Sequence, residues 1–532
     1  MSNQDPWWSQ AVIYQIYPRS FFDSNGDGEG DLAGISLKIE YLKSLGIDAI
    51  WLSPFYQSPN KDGGYDVSDP RMVDPRFGSL ADFGRLVEIC HQNSLRVIVD
   101  LVPNHFSSEH RWFQEAIASK AGSPERQRFH FRDPNSDGSP PNNWISLFGG
   151  STWSKSPDGQ FYLHLFDQSQ PDLNWDNPEV SADFEETLRF WLDQGVDGFR
   201  IDVAHGLVKE EIERDHYAPE LLSDALRLDI EMEPARRSEI LATVPFFNRP
   251  GVHEIYRKWR RIFDSYDRDV VSVAEIWVHP PEEAALYVRP DELHQVFNFD
   301  LLTTPFEAKA LFESITGAFS ILEPVGALPT WALSNHDSPR VATRLGVLQS
   351  QALAIFLLAL PGSFYLYNGQ ELSLPDGDVL DSDRQDPVYF RTHGVQKGRD
   401  GARVPLPWSA DEVNCGFSSA RPWLPIAESW RKLSVESQEK NSGSSLHLFR
   451  RALSARPQLV ESGSSITWIE NKGEKILAFI RGDFLVLLNT SAEVQEFISE
   501  GSIFMASDQE TFADGSTISL PPLSACWVAR SK

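Results

Sequence analysis

Cysteine is nearly absent. Three occur in 532 residues, Cys90, Cys415 and Cys526, far apart and without metal-type spacing. That excludes a disulfide framework and a cysteine-based zinc site, and it fits reduced thiols in a cytoplasm. No run approaches 18 uninterrupted apolar residues, and the opening MSNQDPWWSQ lacks a basic stretch followed by an apolar one. Neither a membrane span nor a signal peptide is expected. Positive charge is scarce as well: 48 Lys and Arg face 76 Asp and Glu, a formal net charge of -28. A polyphosphate would meet repulsion, so nucleic acid is not an expected partner. The one basic cluster, Arg257, Lys258, Arg260 and Arg261, reads as the solvated face of a helix.

Aromatic residues are plentiful at 12%, with 16 Trp and 33 Phe. They suit the flat C–H faces of sugar rings, although any single one is more often core. Along the first third, short β-branched and aromatic runs alternate with helix-spaced segments, the order of successive βα units. AVIYQIYP, AIWLSP and RVIVDLV read as strands, separated by helices GISLKIEYLKSLG and SLADFGRLVEICHQNS, the second with Ser79 as its cap. The rhythm breaks over 104–175, where Pro, Asn, Gly and Ser are dense, and resumes with strands GFRIDVA, VSVAEIW, HQVFNFDL, PTWALSNHD and SFYLYNGQE. Eight such strands predict an α/β fold, a (β/α)8 barrel. The expected domains are a catalytic barrel over 1–103 and 176–460, an inserted subdomain over 104–175, and a C-terminal antiparallel β domain over 461–532. The segment 205–250 is too long for a tight loop and is expected over the barrel mouth.

Working residues of such a barrel project from the C-terminal ends of the strands. Four ends are unusually polar: Asp100, Asn104 and His105 in DLVPNH, Arg200 and Asp202 in GFRIDVAHG, Glu275 in VAEIW, and Asn335, His336 and Asp337 in LSNHD. Each alone could be structural. So much charge around one barrel mouth would be costly to bury without a use.

DLVPNH, GFRIDVAHG, VAEIW and LSNHD, in this order, resemble the segments of family 13 glycoside hydrolases, the α-amylase family, and QPDLNW (170–175) resembles a segment of its oligo-1,6-glucosidase and α-glucosidase group. The resemblance implies a retaining glycosidase with Asp202 as nucleophile, Glu275 as general acid/base and Asp337 as third carboxylate. Arg200 would keep Asp202 ionised, and His105 and His336 would bond sugar hydroxyls. Tyr65 in GGYDVSD is the expected stacking platform. Asp66 is the expected hydroxyl acceptor, paired with Arg403 of DGARVPLPW. Phe166 and Gln170 are expected to wall the pocket, packing being the other reading for Phe166. The implied substrates are short α-glucosides, taken by a monomer or weak homo-oligomer. Val203, after the nucleophile, points to α-1,6 linkages, whereas RVPLPW and VAHGLVK look more like maltose-cleaving, α-1,4 enzymes. Transglycosylation is the nearest rival to hydrolysis, and a non-catalytic relative would lack these acids.

DSNGDGEGD places Asp23, Asn25, Asp27 and Asp31 at positions 1, 3, 5 and 9 of a calcium-type loop, with Gly28 sixth and the Glu29 carbonyl seventh. A single structural Ca2+ is expected there, Mg2+ being the other ion that oxygen ligands suit. No organic cofactor is expected.

Overall fold

The computed structural model describes residues 6–225, 232–469 and 475–530. Its centre is a closed barrel of eight parallel strands: β1 (Val12–Ile16), β2 (Ala49–Leu52), β3 (Arg96–Leu101), β4 (Gly198–Ile201), β5 (Val271–Ala274), β6 (Gln295–Asn298), β7 (Thr330–Ala332) and β8 (Ser363–Tyr367). Each strand pairs with the next, and β8 closes on β1. Side chains alternate across each strand. Ile13, Trp51, Ile98, Val273, Phe297 and Tyr365 fill the interior, while neighbours such as Tyr14, Ile50, Leu52 and Val99 face the helices.

Local signals set the helix ends. Ser79 caps Leu80–Gln92 through a capping box with Asp82, and Asn177 with Pro178 starts Pro178–Asp193. The expected helix over 34–46 is instead two short ones, Leu32–Leu37 and Ile39–Leu45, because Lys38 leaves helical geometry between them.

Residues 104–175 carry a three-stranded sheet, Phe131–Arg132, Phe161–Leu163 and Trp153–Lys155. The 205–250 excursion packs on this subdomain and also reaches the barrel mouth through His205 and Phe247. Trp144, Trp153, Phe161 and Leu163 share one apolar core with Leu222, Ile240, Val244 and Phe246, so the two segments bury each other's aromatic faces. Residues 226–231 of the excursion lie outside the described ones. A buried ion pair, Lys209 Nζ to Asp172 Oδ2 at 2.9 Å, ties the two segments at their base.

After helix Ser445–Glu461 the chain forms a five-stranded antiparallel sheet and a separate three-stranded one. Trp527 of the larger sheet donates to the Ile355 carbonyl in helix Val347–Leu358, which is buried between this sheet and the barrel. Among the described residues, no helix is long and apolar enough to cross a membrane, and all three cysteines are free and buried.

Candidate active site

Parallel register puts Asp100 of β3 beside Arg200 of β4, and Arg200 beside Val273 of β5. The guanidinium, 2% exposed, therefore reaches carboxylates from three strand ends: Nη1 donates to Asp100 Oδ1 at 2.7 Å and Asp202 Oδ1 at 2.6 Å, and Nη2 to Glu275 Oε2 at 2.6 Å. Asp100 also accepts from Trp51 Nε1 at 3.0 Å and the Tyr65 hydroxyl at 3.1 Å. It is wholly enclosed, and burial pushes its carboxyl up to about 6. Asp202 and Glu275 both line the cavity.

Burial raises Asp202 well above the usual carboxylate range, against the pull of Arg200, and the charges of Glu275 and Asp100 push the same way. Arg200 does favour the ionised form of Asp202, but its one positive charge is divided among three carboxylates and burial outweighs it. Arg200 does not line the cavity, so it organises the acids without touching substrate.

Glu275 has two further donors, the Val203 amide at 3.2 Å and Trp277 Nε1 at 3.3 Å. To aim that amide, Val203 sits at φ 45, a conformation β-branched residues rarely adopt. Such strain costs of order 1–3 kcal/mol and persists only where the surroundings impose it.

The far end of the cavity is built for hydroxyl recognition. Tyr65 stacks on His336, with ring centroids 5.2 Å apart and planes within 3°. Gln15 donates to His336 Nδ1 at 2.8 Å, which leaves the proton on Nε2, a buried atom 3.1 Å from Asp337 Oδ2. Burial holds this imidazole down at about 3, so it is a neutral donor at working pH. Asp337 Oδ1 accepts from Arg399 Nη1 at 3.0 Å and Arg403 Nη2 at 2.8 Å. Burial works to raise Asp337, yet His336, Arg399 and Arg403 hold it well below the usual carboxylate range. With His336 neutral, the two arginines carry that effect. Asn335 Oδ1 accepts from the Asp337 amide and the Ser338 hydroxyl, both at 2.9 Å, fixing the turn.

The expected Asp66–Arg403 pair does not form. Asp66 is fully buried outside the cavity, accepting from the Ser58 hydroxyl and from the Lys61 and Asp62 amides at 2.9, 3.0 and 3.1 Å. Arg403 braces Asp337 and the His336 carbonyl. The pair at the cavity wall is Asp62 with Arg399, at 2.6 Å. Both members sit four residues before the expected ones, Arg399 as N-cap of the helix Asp400–Arg403. KDGGYD and GRDGAR each offer two candidates at this spacing, and only the fold selects between them.

Gln170 is fully buried and not a wall. It donates to Asp62 Oδ2 at 3.1 Å and contacts His105 Nε2 at 3.1 Å. Phe166 does line the cavity, against His105 and Phe148, and His105 lines it too. Sequence reasoning missed Asp62, Arg399, Trp277, His205 and Phe247, all of which line the space of about 1230 Å³. The signal available for Trp277 was its place two residues after Glu275, just past the end of β5.

In the Asp23–Asp31 loop, oxygens point at amides of the loop itself. Asp23 accepts from Asn25, Gly26 and Gly28, Asn25 from Asp27, Asp27 from Glu29, and Asp31 from Ser24 and Gly34. The Glu29 side chain pairs with Arg19 at 2.7 Å. Gly28, at φ 98, makes the sharp turn a calcium loop needs. Among the described residues, however, no three His, Cys, Asp or Glu side chains converge as metal ligands.

An alpha-amylase catalytic-domain family model matches residues 15–463. A probable alpha-glucosidase of Rhizobium meliloti (strain 1021) is 39% identical over 489 residues, 89% of this chain and 87% of that protein. An oligo-1,6-glucosidase of Parageobacillus thermoglucosidasius is 36% identical over 492 residues, 85% and 84%. Among solved structures, the alpha-glucosyl transfer enzyme XgtA matches with TM-score 0.89 at 37% identity, covering 99% of this chain and 100% of that one. The trehalulose synthase MutB of Pseudomonas mesoacidophila MX-45 matches at 0.88 and 31%, over 99% of both chains. Likeness of this extent and depth, over a barrel whose polar strand ends converge, means that the chain belongs to the alpha-amylase family, glycoside hydrolase family 13.

Proposed function

We propose that this glycoside hydrolase is a retaining α-glucosidase releasing terminal glucose from short α-glucosides. The observation that carries the reading is that Asp202 and Glu275 both accept from the one guanidinium of Arg200, each at 2.6 Å, which holds the two carboxyl groups close together. Inversion needs a water between acid and base, with carboxyls about 6.5–9.5 Å apart; retention needs about 5–5.5 Å. In the first step Glu275 protonates the leaving oxygen, the C1–O bond breaks, and Asp202 bonds to C1. In the second, water gives a proton to Glu275 and attacks C1, and Asp202 leaves with the bonding pair. Asp337, ionised and pinned, binds hydroxyls more strongly as positive charge grows at the ring. The Asp62–Arg399 pair closes the glucose end, which supports action on chain termini.

Maltose-type α-1,4 linkages are favoured by the VAHGLVK and RVPLPW segments, while Val203, in contact with Glu275 on the leaving-group side, is the feature that points to α-1,6. Transfer to a second sugar uses the same glucosyl enzyme, and likeness to an α-glucosyl transfer enzyme supports that reading. Cytoplasmic location suits the free cysteines. For a structural ion at Asp23–Asp31 the support is the shape of the turn, and binding would swing carboxylates inward from the amides they now accept. The deciding experiment follows the anomer of first-formed glucose from maltose by NMR, with isomaltose, sucrose and trehalose compared. α-Glucose supports the mechanism and β-glucose overturns it.

A further inference from the structure

The walls of the glucose end are joined by a closed circuit of hydrogen bonds. Two turns of the inserted subdomain supply the outer wall: 146–150 carries Leu147 and Phe148, and 165–170 carries Phe166, all three lining the cavity. The turns are bonded to each other, since Ser146 Oγ donates to the Phe166 carbonyl at 2.6 Å and the Leu147 amide to the Leu165 carbonyl at 2.9 Å. Phe148 and Phe166 meet edge to face with ring centroids 5.6 Å apart. Across the cleft runs the segment after β8, where Asp386 caps the short helix Pro387–Arg391 and accepts from Arg399 Nε at 2.7 Å. Arg399 in turn bonds Asp62 and lies over the Phe148 ring, 5.3 Å from its centroid.

Arg391 joins the two sides. Its Nη1 donates to Asp167 Oδ2 at 3.1 Å and its Nη2 to the Gly149 carbonyl, so one guanidinium holds both turns. The other Asp167 oxygen accepts from the Ser169 amide and hydroxyl at 2.9 and 2.7 Å, and the Asp167 amide donates to Gln170 Oε1 at 3.1 Å. Gln170 Nε2 then reaches Asp62. The circuit runs through Arg391, Asp167, Gln170, Asp62, Arg399 and Asp386, and returns along the helix. Of these six, only Asp62 and Arg399 line the cavity. Burial works to raise Asp167, yet Ser169 and Arg391 hold it below the usual carboxylate range, so the bond stays charged in mild acid. The side chains of the pair are 20% and 16% exposed, more enclosed than the solvent-exposed ion pairs that contribute little.

We propose that Arg391 is a positioning residue for the terminal glucose: with Asp167 it clamps the aromatic wall onto the Asp62–Arg399 pair without touching substrate. The inference rests on the α-glucosidase reading. The two partners are 224 residues apart in sequence, so their bond ties together walls that the chain itself does not connect closely. Hydrogen bonds to sugar hydroxyls weaken steeply once distance and angle drift, and a loosened wall lets them drift. Asp202 and Glu275 follow β4 and β5 and share no bond with the circuit, so the loss should fall on binding and not on the chemical step.

Steady-state hydrolysis of maltose by full-length Arg391→Ala and Asp167→Asn tests it, with inhibition by glucose as the reading of ground-state binding. Each variant should raise KM and the glucose inhibition constant by about tenfold, the scale of one charged hydrogen bond, and leave kcat within about twofold. Arg391→Lys, which keeps the charge but cannot fork to both turns, should raise them by only about threefold. The double variant should be no worse than Arg391→Ala, because both changes remove the same bond. Circular-dichroism melting reports folding, and Asp167→Asn, which keeps the side-chain shape, carries the test if Arg391→Ala melts early. A KM within about twofold of wild type in the folded variants, a loss confined to kcat, or losses that multiply in the double variant would overturn the proposal. Absence of glucose release by the unaltered protein would overturn the α-glucosidase reading instead.

Discussion

Replacing Asp62 by alanine separates the pair seen in the fold from the pair expected from the motif. Asp62 holds Arg399 Nη2 at 2.6 Å and Gln170 at 3.1 Å, and it lines the glucose end. Its loss removes a charged hydrogen-bonding partner, worth about 1.5–3 kcal/mol. At about 1.4 kcal/mol per factor of ten, kcat/KM on maltose should fall by about 10- to 150-fold. Stability should change little, because Arg399 keeps Asp337 and Asp386 as partners. Asp66→Asn is the control: outside the cavity, it should leave kcat/KM within about tenfold of wild type. Steady-state kinetics and circular-dichroism melting on both variants provide the readout. If Asp66→Asn loses more activity than Asp62→Ala while melting normally, the assignment of Asp62 and Arg399 is wrong.

Asp202→Asn should cut glucose release by about 10³-fold or more with melting unchanged, since an amide cannot form the covalent glucosyl ester; unchanged turnover would remove it as nucleophile. The acid limb of the kcat/KM profile should lie above the ordinary carboxylate range, because Asp202 is raised and activity is lost as pH falls through its pKa. Arg200→Lys, which cannot fork to three carboxylates, should move that limb to higher pH, and a limb that moves down would contradict the role given to Arg200. Burial also raises Asp66 from 3.8 to about 6, so the folded state binds its proton more tightly than the unfolded chain. Stability from this group is present below about pH 4 and lost as pH rises to about 6, a difference of about 3 kcal/mol that Asp66→Asn should flatten in urea melts. Chelation with EDTA should lower the melting midpoint more than it lowers turnover at mild temperature, and superimposable melting curves would rule out a stabilising ion at Asp23–Asp31.

Much of the fold was legible because its signals are local. Alternation of β-branched runs with helix-spaced segments marks each βα unit, and Ser79, Asn177 and Pro178 mark helix starts through contacts within one turn. The C-terminal sheets were only partly legible. Gln495–Ile498 and Phe512–Asp514 are short strands with several exposed side chains, so hydrophobic alternation barely outlines them. The excursion after β4 was visible as an over-long loop, but where it packs was not, since Leu222 and Phe246 meet Trp144 only in three dimensions.

Residue order alone determined which polar residues stand at strand ends: a polar residue closing an apolar strand of a barrel has one place to go, so Asp202, Glu275 and Asp337 could be placed at the barrel mouth, while the resemblance to family 13 singled them out from their neighbours. Tertiary structure decided which partner each would have. Asp62 or Asp66, Arg399 or Arg403, and one or three carboxylates on Arg200 are choices between residues a few positions apart, and they turn on contacts across hundreds of residues. The protonation of Asp202 belongs to the same class, because burial and shared charge are properties of the assembled site and not of any segment.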